Sequence, residues 1–291
     1  MYKILKKVIF SIITAVTIFS YVSKVAMASE PPADIMKLLH NNNPLEPTKV
    51  FDDLYCVGSV SVVAWVLKTS DGIILIDSMW DDHDAETIIN GMESLGLDPS
   101  EIKYILISHG HGDHYGGANY LRDKFGAKVV MTKVDAEFMY SLTTGPNSSR
   151  SPKPPVDIYV KNGDEITLGD KTVKILETPG HTPGGISFIF HIVNDGKEHT
   201  AVLWGGTGIP RNAKEKLTYK TSVTHFEKES KEAGATIELT AHLFVGDGFK
   251  NLDIARNRKK GEANPFILGK SGMDDYFKAL NKSIDDAILV K

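Results

Sequence analysis

Three of the chain's 10 histidines fall inside one hexamer, His109-Gly110-His111-Gly112-Asp113-His114, directly after the apolar run Ile102 to Ile107. That run reads as a buried β-strand. Any fold this chain adopts must therefore end a core strand where three imidazoles and a carboxylate turn toward one point. Glycines at 110 and 112 allow the tight backbone path this demands. Imidazole and carboxylate together favour a borderline cation such as zinc over magnesium or calcium. Four ligands from one hexamer can hardly all reach a single ion. Two adjacent ions fit the pattern better, and each then needs ligands from elsewhere. A structural zinc site is the bland alternative, but such sites favour cysteine and closed tetrahedral sets.

Two distant segments supply candidates. His181 sits in Glu177-Thr178-Pro179-Gly180-His181-Thr182-Pro183-Gly184-Gly185, a glycine- and proline-rich loop after a strand that fixes a ring rather than burying it. His242 follows the apolar Ile237 to Leu239 in Thr240-Ala241-His242, again at a strand end, although a buried structural histidine is the competing reading there. His40, His83, His191, His199 and His225 take the ordinary reading of surface or hydrogen-bonded core residues. Asp77, at the end of the Ile73 to Ile76 run, either orients a metal-binding histidine or forms a turn. Trp65, Trp80 and Trp204 read as core or cleft wall. Arg256 to Lys260 reads as a solvated helix face and not a nucleic-acid patch.

The first residues combine Lys3, Lys6 and Lys7 with an uncharged apolar stretch, Val8 to Val22, and the pattern Ala26-Met27-Ala28 before Ser29. This is the grammar of a secretory signal peptide cleaved after Ala28, leaving no stable membrane anchor and a periplasmic or secreted product. Cleavage removes four lysines and no acids. The mature chain then carries 29 basic against 37 acidic residues, a net charge of −8, which argues against a nucleic-acid partner. The single cysteine, Cys56, permits no intrachain disulfide and reads as a small buried residue. Residues 29–291 show no composition shift and read as one domain.

Strand-like runs at Val50 to Val57, Val60 to Leu67 and Ile73 to Asp77 form a meander. Helices are expected at Ala85 to Leu95, Asn119 to Phe125 and Val134 to Ser141, with a strand at Lys128 to Met131. The second half repeats the grammar, with strands near Val156 to Val160, Glu165 to Leu168, Lys171 to Glu177, Ile186 to Ile192 and Thr200 to Trp204. Helices follow at Ser222 to Ala233 and Gly272 to Leu289. Strands and helices in each half suggest an α+β fold of two packed sheets with helices outside. Residues 143–155, rich in Pro, Ser and Gly, read as a long loop of the kind that borders or covers a cleft.

The hexamer, the Thr-Pro-Gly-His-Thr-Pro-Gly segment and the late His242 resemble the metallo-β-lactamase superfamily of zinc hydrolases. That resemblance implies an αββα sandwich with two Zn2+ at one sheet edge and a small-molecule substrate; oligomeric state stays open. Glyoxalase II-like thioesterases and many lactonases of the superfamily carry a bridging Asp after a buried strand, where this chain has Gly205-Gly206-Thr207-Gly208. With the complete hexamer, no ligand cysteine and the Asn264-Pro265-Phe266 tail, the chain is most similar to the third, mostly His-liganded subclass of metallo-β-lactamases. Carried over, His109, His111 and His181 hold the first zinc; Asp113, His114 and His242 hold the second, with Asp113 also acting in catalysis. One departure stands out: Gly206 occupies the place where that subclass often has a carboxylate-binding serine. The implied reaction is β-lactam hydrolysis by a water-derived nucleophile, and no Gly-x-Ser-x-Gly elbow is present. Hydrolysis of another cyclic ester or amide, and a non-enzymatic zinc-binding role, are the alternatives.

Overall fold

The computed structural model describes residues 33–143 and 151–289. The leader expected at 1–28 and most of the loop expected at 143–155 lie outside the described residues. Two sheets are stacked face to face. The first has seven strands in chain order: β1 (Thr48–Lys49), β2 (Leu54–Gly58), β3 (Val63–Thr69), β4 (Gly72–Ile76), β5 (Ile102–Leu106), β6 (Lys128–Thr132) and β7 (Ile158–Val160). The second has five, β8 (Glu165–Leu168), β9 (Lys171–Glu177), β10 (Ile186–Asn194), β11 (Lys197–Leu203) and β12 (Ile237–Leu239), in reversed order β12-β11-β10-β9-β8. Strands β1 to β4 pair antiparallel, β4 to β7 parallel. In the second sheet β11–β12 is parallel and the other pairs are antiparallel.

Near-continuous apolar runs are what both-face burial requires. Along each strand, alternate side chains point to opposite faces. Leu54, Cys56, Trp65, Leu67, Ile74 and Ile76 meet Val173, Ile175, Phe188, Phe190 and Leu203 between the sheets. Val57, Ala64, Val66, Ile73 and Leu75 point the other way, against helices α2 (Asp82–Ser94) and α4 (Ala118–Phe125). The second sheet's outer residues, Leu176, Ile189 and Val202, pack under α6 (Ala213–Glu232) and α8 (Gly269–Leu289). The layers are thus α, β, β, α, as expected. The remaining helices are α1 (Ala33–Leu39), α3 (Gly112–Tyr115), α5 (Lys133–Ser141) and α7 (Gly248–Asn257).

Three sequence expectations need correction. The Val50 to Val57 run is not one strand: the chain bends at 51–53, and the Leu54 carbonyl accepts from both Val50 and Phe51 N–H. Helix α6 begins at Ala213, nine residues before the expected Ser222, because Asn212 caps its first turn by accepting from the Lys214 N–H at 2.8 Å. Arg256 to Lys260 is not a solvated helix face. Helix α7 ends at Asn257, and Arg258, its side chain only 10% exposed, donates to Asp195 at 3.0 Å and Asn194 at 2.8 Å. Among the described residues, no helix is long and apolar enough to cross a membrane.

One half-buried acid gives the fold a pH dependence. Burial pushes the Glu238 carboxyl, in β12, from its ordinary 4.5 up to about 7, partly opposed by a hydrogen bond with Tyr276 of α8. Its folded value lies above its unfolded one. The contribution is therefore intact below about pH 4.5 and lost as pH rises through about 7. Discounted for partial exposure, about 2 kcal/mol of stability should disappear across that window. Denaturant titrations at pH 5 and pH 8 should show the drop in the native chain and a smaller one in Glu238→Gln.

Candidate metal centre

Every candidate ligand follows the carboxyl end of a strand, so one rim of the sandwich gathers them. The hexamer follows β5, His181 follows β9 and His242 follows β12. The first-sheet and second-sheet candidates meet because Ile186 N–H donates to the Ser108 carbonyl at 2.8 Å, tying the start of β10 to the residue before His109.

The structure brings all six sequence-predicted residues together. His109, His111 and His181 offer ring nitrogens all within 4.8 Å of one another, and His109, Asp113 and His114 form a second such group. His242 Nε2 lies 3.5 Å from Asp113 Oδ2, and its ring centroid is 5.2 Å from that of His114. His109 therefore sits between the two groups. His109, Asp113, His114 and His242 are buried, whereas His111 and His181 are partly exposed at the cleft.

Backbone carbonyls fix which ring nitrogen faces inward. A carbonyl only accepts, so His181 Nδ1–H donates to Gly208 O at 2.6 Å, and His242 Nδ1–H donates to Ser61 O at 2.9 Å. In both rings Nε2 is left with its lone pair toward the cluster. His181 Nε2 lies 3.0 Å from His111 Nδ1. His114 Nδ1 is held by Asp77 Oδ2 at 2.8 Å, while His114 Nε2 is buried without a hydrogen-bond partner. Asp113 Oδ2 lies 3.5 Å from that nitrogen, a loose ion pair rather than a good hydrogen bond, and a buried nitrogen so placed favours a proton or a cation.

Asp77 settles the choice left open by sequence. It occupies φ +61°, the left-handed region that a non-glycine side chain seldom adopts. From there its Oδ1 accepts the Ser108 N–H at 2.8 Å, and its Oδ2 accepts the Ser108 hydroxyl at 2.9 Å. It is thus both a turn residue and the orienting partner of His114. Ser108 Oγ also lies 3.1 Å from His109 Nδ1.

The electrostatics are those of a cation site. Burial, reinforced by neighbouring rings, holds His109 well below the usual imidazole range and His181 down to about 3. Burial likewise lowers His111 and His242. These four rings are neutral near pH 7 and present lone pairs. Burial also opposes charge on His114, but the Asp113 and Asp77 carboxylates overcome it and hold the ring up at about 10. Burial would raise Asp113, yet the surrounding histidines pull it far below the ordinary carboxylate range. A nitrogen-rich set with one ionised carboxylate fits a divalent metal such as zinc.

Sequence reading did not single out Ser108, the Ser61 and Gly208 carbonyls, Asp135 or Phe138. Phe138 packs edge-on to His111 with centroids 5.7 Å apart, and Phe244 tilts against His242 at 5.1 Å. The Thr-x-x-Asp pattern at Thr132 to Asp135 signals a helix start, but nothing in it announces contact with the histidine loops.

Residues 57–194 match the family profile described as the Metallo-beta-lactamase superfamily. Hydroxyacylglutathione hydrolases of Brucella ovis and Brucella abortus are 35% identical over 108 residues, 37% of this chain and 35% of theirs. The chain thus matches about a third of the length of those curated relatives. Among solved structures, a subclass B3 metallo-beta-lactamase of Bradyrhizobium japonicum superposes with a TM-score of 0.69 at 28% identity, covering 86% of this chain and 98% of the other. The native metallo-beta-lactamase from Legionella gormanii gives 0.73 at 25% identity, with 84% and 96% covered.

The glycine run after β11 packs directly on His181. A Cβ at position 206 would lie 2.8 Å from His181 Cβ, and one at 208 would lie 2.9 Å from His181 Cε1. A serine at 206 does not fit without moving the ring. Gly206→Ser should therefore weaken metal binding about tenfold or more, a loss of the size seen when a ligand's supporting contacts are disturbed. Zinc titration against a competing chromogenic chelator measures it, and equal affinity would refute the steric argument.

Proposed function

Because residues 57–194 match the Metallo-beta-lactamase superfamily profile, we propose that this chain is a zinc-dependent hydrolase that opens β-lactam rings with two Zn2+ in its site. The observation that carries the metal is the convergence of the His109, His111 and His181 ring nitrogens, and of His109 and His114 with the Asp113 carboxylate, each set within 4.8 Å, in rings whose outer nitrogens at His181 and His242 are already tied to carbonyls. His109, His111 and His181 would hold one ion; Asp113, His114 and His242 would hold the other. When bound, the metal pair supplies Lewis acidity, bringing the pKa of water toward neutrality and polarising the carbonyl under attack.

The protein's own groups do the rest. Asp113 stays ionised, so its carboxylate accepts a hydrogen bond from an incoming water and orients it, and the proton that water gives up goes to the departing ring nitrogen. Asp77 and Ser108 hold His114 and His109 against reorientation. Phe138 and Phe244, both half-buried, wall the ends of the ligand row and limit the water that reaches it. What favours a β-lactam over a thioester is the run Gly205-Gly206-Thr207-Gly208, which offers no carboxylate after β11. The curated relatives keep the thioester of a hydroxyacylglutathione as the second reading. The leader-like residues 1–28 support export to the periplasm or medium.

The test is turnover of a chromogenic cephalosporin, an acyl-homoserine lactone and a glutathione thioester, each with and without chelator. Cephalosporin hydrolysis abolished by chelator and restored by zinc is the expected result. Chelator-sensitive turnover of only the lactone or the thioester would reject the β-lactam assignment. In the active assay Asp113→Asn should lower kcat by about a hundredfold or more.

A further inference from the structure

The two halves of the first ligand trio come from different sheets, and one buried carboxylate spans the gap between their loops. Asp135 lies in the first turn of α5 and is fully buried. Its Oδ2 accepts the Gly110 N–H at 2.7 Å, from the peptide between His109 and His111. The same oxygen accepts the Thr182 hydroxyl at 2.6 Å, next to His181, and Oδ1 accepts the Gly184 N–H at 2.6 Å. The helix cap joins in: Thr132 Oγ1 accepts the Asp135 N–H at 3.1 Å and donates to the Gly184 carbonyl at 2.7 Å. The fit is close. A Cβ at Gly110 would lie 2.9 Å from the Asp135 carbonyl, and one at Gly184 would lie 2.7 Å from the Asp135 nitrogen.

Burial raises the Asp135 carboxyl above its ordinary value, and the three hydrogen bonds that converge on it in this dry site oppose that rise and fix its orientation. All three come from the loops themselves rather than from a ligand ring. What Asp135 fixes is the distance between the His109–His111 loop and the His181 loop, on which a shared cation depends. We propose that Asp135 is a positioning residue that clasps these two loops and sets the affinity of the His109, His111 and His181 site, a role that rests on the ligand assignment above.

The discriminating measurement is stepwise zinc affinity, read by chelator competition and by the visible spectrum of the cobalt-substituted protein. Asp135→Asn keeps the shape but puts a donor where one N–H or hydroxyl now donates. It should weaken the step assigned to His109, His111 and His181 by roughly tenfold to a hundredfold, leaving the step at Asp113, His114 and His242 within about threefold. Thr182→Val removes one contact of three, is the milder variant should Asp135→Asn fold poorly, and should shift the same step in the same direction by less. Wild-type affinity for both steps in both variants overturns the clasp, as does equal weakening of the two steps, which would mark a general structural role. His181→Ala is the control for the ligand reading. If it leaves both steps unchanged, or the native chain binds no zinc, the assignment and the clasp fall together, whereas a lost first step with unaltered Asp135→Asn removes the clasp alone.

Discussion

A desolvated cluster of neutral imidazoles beside an ionised carboxylate is the constraint to which the rest of this structure answers. Bringing His109, His111, His181 and His242 together costs hydration, and each ring discourages protonation of the next. Without a cation the site is strained electrostatically, with His114 left to hold a proton between Asp77 and Asp113. With one, lone pairs that repel protons become ligands. The protein supports the arrangement through partners that cannot change their protonation: the carbonyls of Ser61 and Gly208. A carbonyl fixes a tautomer at every pH, which a second titratable side chain would not.

Stacking two sheets is what makes such a cluster possible. Strand ends from both sheets reach the same rim, and the packing of Phe188 and Phe190 against Trp65, Ile74 and Ile76 holds the sheets together behind it. A site built on the ends of core strands inherits their rigidity, and the backbone tie from Ile186 to Ser108 carries that rigidity across the sandwich. The left-handed Asp77 belongs to the same logic. Backbone strain of this kind persists where surrounding contacts over-determine it, and here three hydrogen bonds to one carboxylate do so.

What the sequence reveals, and what it hides, follows from how far each interaction reaches along the chain. The hexamer is legible because its candidate ligands lie within six residues, and the strands because their runs are continuously apolar, as in Ile73 to Ile76. His181 and His242 are legible through their setting at strand ends. Asp77 is half legible: an aspartate after a strand serves a turn or a histidine, and only the fold, which puts position 114 beside position 77, shows that it serves both. The start of α6 is hidden because Ala213 to Thr221 is mostly polar, and its helicity rests on a cap rather than on a stripe. Arg258 is hidden because its partners, Asp195 and Asn194, lie at the turn between β10 and β11, 63 and 64 residues away. The carbonyls of Ser61 and Gly208 are hidden for a different reason. Every residue has a carbonyl, so no side-chain pattern marks the one that orients a ring.

The glycines around His181 show how close approach limits the chemistry the site can acquire. Gly208 brings no side chain, yet its carbonyl fixes the ring, and the bare Cα atoms at 206 and 208 let the loop lie against it. The loop is held from behind, where Trp204 Nε1–H and the Tyr219 hydroxyl both donate to the Gly206 carbonyl, at 2.6 and 2.7 Å. A loop pinned on both sides has little room to take on a side chain. A polar substrate group must therefore find its partner at another part of the rim, and any substitution that adds a hydroxyl at 206 works directly against the placement of His181.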